Sequence, residues 1–183
     1  MSLFINLITV SRMVFGAIIF VLLTRTELYW YAFILFFIAS ITDYFDGYLA
    51  RKYNLVSQLG EILDPIADKI LIVFLLFAIA INLTSYYIGF LSAIIITREV
   101  WVGALRDFNA RQQNTNATRV TFLAKIKTTI QLFTISTYLL GLAMNNMVIV
   151  LIADIMLFLS FIVTVYTGWV YTLNTFKRRS AFE

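Results

Sequence analysis

The sequence of 183 residues contains neither cysteine nor histidine, and both absences narrow the chemistry available to it. Without cysteine, the chain can form neither a disulfide nor a thiolate metal site. Without histidine, imidazole is missing both as a metal ligand and as a general base. A base therefore has to be a carboxylate, a lysine or a tyrosine.

Charge and proline are also scarce: 13% of the residues are charged, one is proline and 61% are apolar. A soluble domain rarely has this balance, because too little polar surface remains to cover it. Most of six apolar segments are close to the 20 residues that a helix needs to cross a bilayer. The sequence predicts an all-α integral membrane protein, a six-transmembrane-helix bundle formed by one domain over residues 1–183, with segments near 5–23, 28–49, 62–81, 86–105, 122–144 and 148–176.

The basic residues predict how this bundle is oriented. The links after the first, third and fifth segments are very short and carry one basic residue, Arg25, whereas the opposite side collects nearly all the others. By the positive-inside rule, that opposite side is cytoplasmic and holds both termini. We assign the net charge of +4 to orientation and to anionic lipid headgroups, and we expect no nucleic-acid partner.

Aspartates are concentrated on this predicted cytoplasmic side. Asp43 and Asp46 are three residues apart, and Asp64 and Asp68 are four apart, so each pair can share one helix face. Carboxylates are costly near hydrocarbon and repel one another unless cations lie between them. The cluster predicts a polar cavity open to the cytoplasm that holds divalent cations such as Mg²⁺, Mn²⁺ or Ca²⁺. For Asp64 alone, a helix N-cap followed by Pro65 is the alternative.

Two further polar groups accompany the aspartates. Asn6, Thr9 and Arg12 recur every three residues, either as the wall of a nucleotide pocket or as a helix entrance with a snorkelling arginine. Arg98, beside Glu99 inside an apolar segment, is expected to face a polar cavity. A loop that binds anionic lipid is the alternative for basic residues nearby, above all Arg111 and Arg119. Together, Arg98, Arg106, Lys125 and Lys127 would form a cationic pocket suited to a phosphate group.

The aspartates belong to a longer pattern, D-x2-D-G-x2-A-R-x8-G-x3-D-x3-D. The chain matches it without a spacing error at Asp43, Asp46, Gly47, Ala50, Arg51, Gly60, Asp64 and Asp68. In this pattern the sequence resembles the CDP-alcohol phosphotransferases. The resemblance implies a six-helix membrane enzyme, usually a homodimer, with two divalent metals. It would cleave a CDP-lipid and pass the phosphatidyl group to an alcohol.

The resemblance also implies roles for individual residues. The four aspartates would hold two cations, Mg²⁺ or Mn²⁺, and Asp68 would also be the general base. The CDP-lipid would contact a set formed by Asn6, Thr9, Asp46, Gly47, Ala50, Arg51 and Gly60. Family members often have proline where this chain has Ile5. Asp154 and Glu61 receive no role.

Three shorter motifs point to the acceptor. Arg98-Glu99, Gly103-Ala-Leu-Arg106 and Lys125-x-Lys127-Thr128 are similar to the pattern of phosphatidylglycerophosphate synthases, although Ala124 replaces a common glycine. This implies CDP-diacylglycerol as donor and sn-glycerol 3-phosphate as acceptor. Inositol phosphate, serine and a second lipid such as phosphatidylglycerol are alternative acceptors. A divalent-cation transporter is the alternative outside enzymes.

Overall fold

The computed structural model describes residues 2–52, 58–112 and 122–177, with side chains over 9–42, 66–112 and 126–177 and at Gly60 and Leu63. The described residues form six α-helices and no strand, which confirms the predicted all-α class. The helices are α1 (Ser2–Arg25), α2 (Tyr29–Lys52), α3 (Gln58–Asn82), α4 (Tyr86–Arg111), α5 (Phe122–Ala143) and α6 (Met147–Lys177). Among them, α4 and α6 are long and apolar enough to cross a membrane.

Two tight links join α3 to α4 and α5 to α6. In each, one residue adopts positive φ (48° at Thr84 and at Asn145), and the next amide bonds back to the fifth carbonyl before it. This is the Schellman arrangement that closes helix C-termini, normally built with glycine. The Ser85 hydroxyl then accepts a hydrogen bond from the amide of Ile88 and caps α4. Two of the three short predicted links, those after α3 and α5, are therefore closed turns between antiparallel helices.

The helices follow one another around the bundle in the order α1, α3, α4, α6, α5 and α2, and α2 closes on α1. The main apolar core lies toward the end with the two tight links, where Ile19, Leu75, Ile88 and Leu139 are buried together. Toward the other end, α3, α4 and α5 separate around a polar cavity. The apolar core packs the helices together at one end of the bundle. At the other end, the cavity places polar side chains from three helices close together.

Helices α4 and α6 run in the same direction, since the residue numbers of the contacting pairs increase together along both helices. Arg98 donates to Thr167, the Trp101 indole to Thr172, and Asn109 to Thr175, at 2.7, 2.9 and 2.8 Å between heavy atoms. These three pairs form what we call the α4–α6 seam. Hydrogen bonds between transmembrane-type helices supply contacts that apolar packing against lipid cannot provide.

Candidate active site

The helical placement of the aspartate motif follows the predicted pattern. Asp43 and Asp46 lie in the second half of α2, and Asp64 and Asp68 lie in the first half of α3. Asp64 is therefore not an N-cap, and that alternative is wrong, because α3 begins six residues earlier, at Gln58. The helix continues through Pro65 without a break.

Several predicted site residues fall outside the described side chains. They are Asn6, Asp43, Asp46, Gly47, Ala50, Arg51, Asp64 and Lys125. Thr9 and Gly60 are described, and both are buried, in α1 and α3. Of the four motif aspartates, Asp68 is therefore the one whose surroundings can be examined directly.

Asp68 forms an ion pair with Arg12. The Arg12 Nη1 atom lies 2.5 Å from Asp68 Oδ1 and joins α1 to α3. The arginine side chain is 1% exposed, whereas the Asp68 side chain is 51% exposed. Arg12 does not snorkel to the surface, so that alternative is wrong, because its guanidinium is held inside the bundle by the carboxylate. A buried cation thus orients a carboxylate that remains open to the cavity.

The cavity beside Asp68 has a volume of about 250 Å³ and lies among three helices. Its polar side chains are Asp68 and Lys69 from α3, Glu99 and Arg106 from α4, and Lys127, Thr128 and Gln131 from α5. Ile72, Val73, Ile95, Ile96 and Val100 supply an apolar remainder. The cavity therefore brings together three predicted residues, Asp68, Arg106 and Lys127, that lie far apart in the sequence.

Glu99 connects two of the predicted basic residues. Its Oε1 atom accepts from Arg98 Nη1 at 3.1 Å and forms a short ion pair with Lys127 Nζ. The sequence placed Glu99 beside Arg98 but did not show that it also binds Lys127 on another helix. Because a buried charge without a counter-charge is unfavourable, Glu99 keeps both cations in the interior.

Arg98 lies behind the cavity wall, between α4 and α6. Its Nη2 atom donates to the Thr167 hydroxyl at 2.7 Å, and its guanidinium lies over the Tyr171 ring, 5.8 Å from the centroid. A Cβ atom at Gly168 would lie 2.9 Å from Arg98 Cγ, so a glycine is needed there. Arg98 has polar partners, Glu99 and Thr167, as its sequence context predicted. It does not line this cavity, however, whereas its neighbour Glu99 does.

Lys69 was not singled out from the sequence, although it directly follows the last motif aspartate. It is exposed in the cavity, and a Cβ atom at Gly103 would lie 3.3 Å from its ammonium nitrogen. In the described part of the chain it forms no ion pair. Arg106 is exposed nearby in the same cavity and also contacts the Tyr171 ring. Two cations on neighbouring helices are thus available to an anionic ligand.

The sequence is similar to known proteins over most of its length. Residues 3–170 match the family model of the CDP-alcohol phosphatidyltransferases. A CDP-diacylglycerol–glycerol-3-phosphate 3-phosphatidyltransferase of Rickettsia bellii is 40% identical over 139 residues, covering 75% of this chain and 75% of that protein. Enzymes of the same name from Wigglesworthia glossinidia brevipalpis (35% over 145 residues; 76% and 79% covered) and Cereibacter sphaeroides (37% over 151 residues; 78% and 65% covered) are also similar. The chain belongs to the CDP-alcohol phosphatidyltransferase family.

Proposed function

We propose that this protein transfers the phosphatidyl group of CDP-diacylglycerol to sn-glycerol 3-phosphate, giving phosphatidylglycerophosphate and CMP. The observation that carries the proposal is the cavity, which combines the carboxylate of Asp68 with the cations of Lys69, Arg106 and Lys127. A carboxylate suits proton transfer, and the cations suit a doubly charged phosphate. The names of the similar enzymes from three organisms agree with this reaction.

The residues of the motif fit two divalent cations, Mg²⁺ or Mn²⁺. The chain has no cysteine or histidine, so its donors are hard oxygen atoms, the ligands that these ions prefer. Asp68 is half-exposed to the cavity and fixed by Arg12, as a ligand should be. We propose Asp43, Asp46, Asp64 and Asp68 as the ligands. When bound, such ions stabilise charge that develops on a phosphate under attack.

The residues proposed to bind the CDP-lipid surround this motif. They are Asn6, Thr9, Asp46, Gly47, Ala50, Arg51 and Gly60. Asparagine and threonine can hydrogen-bond a base or ribose, the glycines allow a nucleotide to approach the backbone, and a guanidinium pairs well with a diphosphate. The burial of Thr9 and Gly60 is consistent with a role inside the bundle.

In the proposed reaction, Asp68 receives the proton of the acceptor's 1-hydroxyl. The hydroxyl oxygen then bonds to the phosphorus nearer the lipid, while the bond from that phosphorus to the oxygen bridging it to the cytidylate phosphate breaks. CMP leaves with that bridging oxygen and its electron pair. Arg12 holds the Asp68 carboxylate in place from behind, because its guanidinium is anchored in the interior.

The acceptor's phosphate is proposed to bind Arg106, Lys127 and the neighbouring Lys125, with Lys69 as an addition from the structure. Charge-assisted hydrogen bonds to phosphate are stronger than neutral ones. Arg98 contributes from behind the wall, since it holds the Glu99 carboxylate that Lys127 also contacts. The Lys127 ammonium has three N–H groups, so it can bind a phosphate oxygen while it keeps its contact with Glu99.

We propose that all six helices form one transmembrane domain whose cavity and both termini face the cytoplasm. Helices α4 and α6, which are apolar enough to span the bilayer in the part of the chain that the structure describes, and the basic residues gathered on one side support this arrangement. The protein would act as a homodimer in the membrane, where its lipid donor is dissolved.

The proposal is tested with purified protein in detergent, CDP-diacylglycerol, Mg²⁺ or Mn²⁺ and a panel of acceptors, with CMP release as readout. We expect glycerol 3-phosphate to support turnover, and serine, inositol and glycerol to fail. EDTA should stop turnover reversibly, and Asp64→Asn should leave less than about a tenth of it, a difference of about 1.4 kcal/mol or more in barrier. Preference for inositol phosphate would reject the acceptor but not the family. Cation flux into vesicles without CMP release would indicate a transporter.

A further inference from the structure

Gln131 is a buried polar residue in the cavity to which the proposed reaction gives no role. Its side chain lines the cavity, yet the residue is 2% exposed. Its amide nitrogen is buried and has no hydrogen-bond partner among the residues that the structure describes. A buried N–H group without a partner is unfavourable. In this orientation the nitrogen is not accessible, but turning the amide group over by 180° exchanges it with the oxygen, so the N–H group can donate to a group that enters the cavity.

The position of Gln131 indicates what that ligand group is. It lies four residues after Lys127 on α5, one turn closer to Ile135 and Leu139 in the apolar core. Of the cations proposed to bind the phosphate, Lys69 and Arg106 are exposed and Lys127 is buried, and Gln131 lines the cavity together with the fully buried Ile95. A neutral donor in such surroundings suits a neutral oxygen, because it could not replace the hydration of a charged one.

We propose that the Gln131 side-chain amide donates a hydrogen bond to the secondary hydroxyl of the acceptor, and so selects a polyol phosphate over an acceptor without that hydroxyl. This inference depends on the proposed function, because it concerns the acceptor of that reaction. With the attacking 1-hydroxyl placed at Asp68 and the phosphate at Lys69, Arg106 and Lys127, the 2-hydroxyl between them is left for the Gln131 amide. A site built to bond a substrate hydroxyl discriminates strongly against an analogue that lacks it.

The test compares two acceptors, sn-glycerol 3-phosphate and 3-hydroxypropyl phosphate, which lacks the secondary hydroxyl. Wild-type protein should use glycerol 3-phosphate with a kcat/KM about tenfold or more above that of the analogue. Gln131→Met, which keeps the volume and removes the donor, should lower kcat/KM for glycerol 3-phosphate about tenfold and leave the analogue within about twofold. The KM for CDP-diacylglycerol should not change.

Thr134→Val is the matched control, since Thr134 is 1% exposed on the same helix and bonds to the Ile130 carbonyl. It should keep the wild-type preference between acceptors. If Gln131→Met does not fold, Gln131→Glu replaces the donor by an acceptor at the same size and should also lose the preference.

Equal use of both acceptors by the wild type would overturn the inference, and so would an equal loss on both in either variant. Failure of the wild type to use glycerol 3-phosphate at all would reject the proposed function instead.

Discussion

Among the side chains that the structure describes, two arginines are buried, and the carboxylates that accompany them differ. Arg12 pairs with Asp68, whose side chain is 51% exposed in the cavity, whereas Arg98 pairs with Glu99, whose side chain is 23% exposed and also binds Lys127. The first pair holds a carboxylate that is exposed in the cavity. The second neutralises a carboxylate between two cations. The same kind of pair therefore holds an exposed carboxylate in the cavity in one place and two cations beside the cavity in the other.

The difference follows from where each arginine is anchored. Arg12 reaches from α1 to a residue on α3, so its carboxylate lies at the edge of the cavity. Arg98 is anchored on α6 by Thr167 and Tyr171, and its carboxylate is the next residue in the chain. Breaking a buried ion pair by removing one partner is strongly destabilising. The two pairs should consequently fail in different ways when they are mutated.

The largest effect is expected at the exposed carboxylate. Asp68→Asn keeps an oxygen that can bond Arg12 but removes the proton acceptor, so turnover should fall about 10²- to 10⁴-fold. The melting temperature should also fall, because the buried Arg12 guanidinium loses its counter-charge, so turnover is measured at a temperature at which the variant is still folded. CMP release at saturating substrates measures the loss, and Asp107→Asn, on an exposed residue outside the cavity, is the control. Full recovery of rate in excess Mn²⁺ would show that Asp68 is only a metal ligand.

The next effect is expected on stability, at the shared carboxylate. Glu99→Ala leaves Arg98 and Lys127 buried without their common counter-charge, which should lower the free energy of unfolding by about 3–5 kcal/mol. Thermal or denaturant unfolding in detergent measures this change. Glu27→Ala, in the exposed α1–α2 link, should have almost no effect. A variant of wild-type stability would mean that Glu99 does not hold the two cations in place.

A smaller effect is expected at the cavity cation of α4. Arg106→Ala should raise the KM for glycerol 3-phosphate about ten- to a hundredfold, since a charge-assisted hydrogen bond contributes roughly 1.5–3 kcal/mol. The KM for CDP-diacylglycerol should stay the same. Arg111→Ala on the same helix, exposed and outside the cavity, is the matched control. An equal rise of both KM values would place Arg106 in the lipid site.

The smallest effect is expected far from both pairs, at Asp154. Its Oδ1 atom accepts from the hydroxyl of buried Tyr138 at 2.6 Å, and its carbonyl accepts from Tyr87, so it ties α6 to α5 and α4. Asp154→Asn preserves an acceptor for Tyr138 and should cost about 1 kcal/mol of stability or less. Turnover should remain within about twofold. A large loss of turnover would give this residue a role that neither its sequence context nor its contacts indicate.

The sequence predicted the elements better than the pairs between them. Apolar segment lengths and short polar links are local features, so six helices and their tight turns could be anticipated. The Arg12–Asp68 pair joins residues 56 positions apart, and no local pattern specifies which helix faces which. Lys69 and Gln131 were missed as site residues for the same reason. A lysine beside a motif and a glutamine in an apolar helix acquire meaning only once α3, α4 and α5 surround one cavity.

The α4–α6 seam has a consequence for how the protein is made. Arg98 and its partner Thr167 are 69 residues apart, so at 5–20 residues per second about 3 to 14 s of synthesis separate them. During that interval α6 is missing or incomplete, and the guanidinium must be kept compatible with an apolar environment by groups already made. Glu99, one residue away, emerges from the ribosome almost together with Arg98. Glu99 can therefore pair with Arg98 before α6 is complete. The contact with Thr167 forms only after α6 has been synthesised.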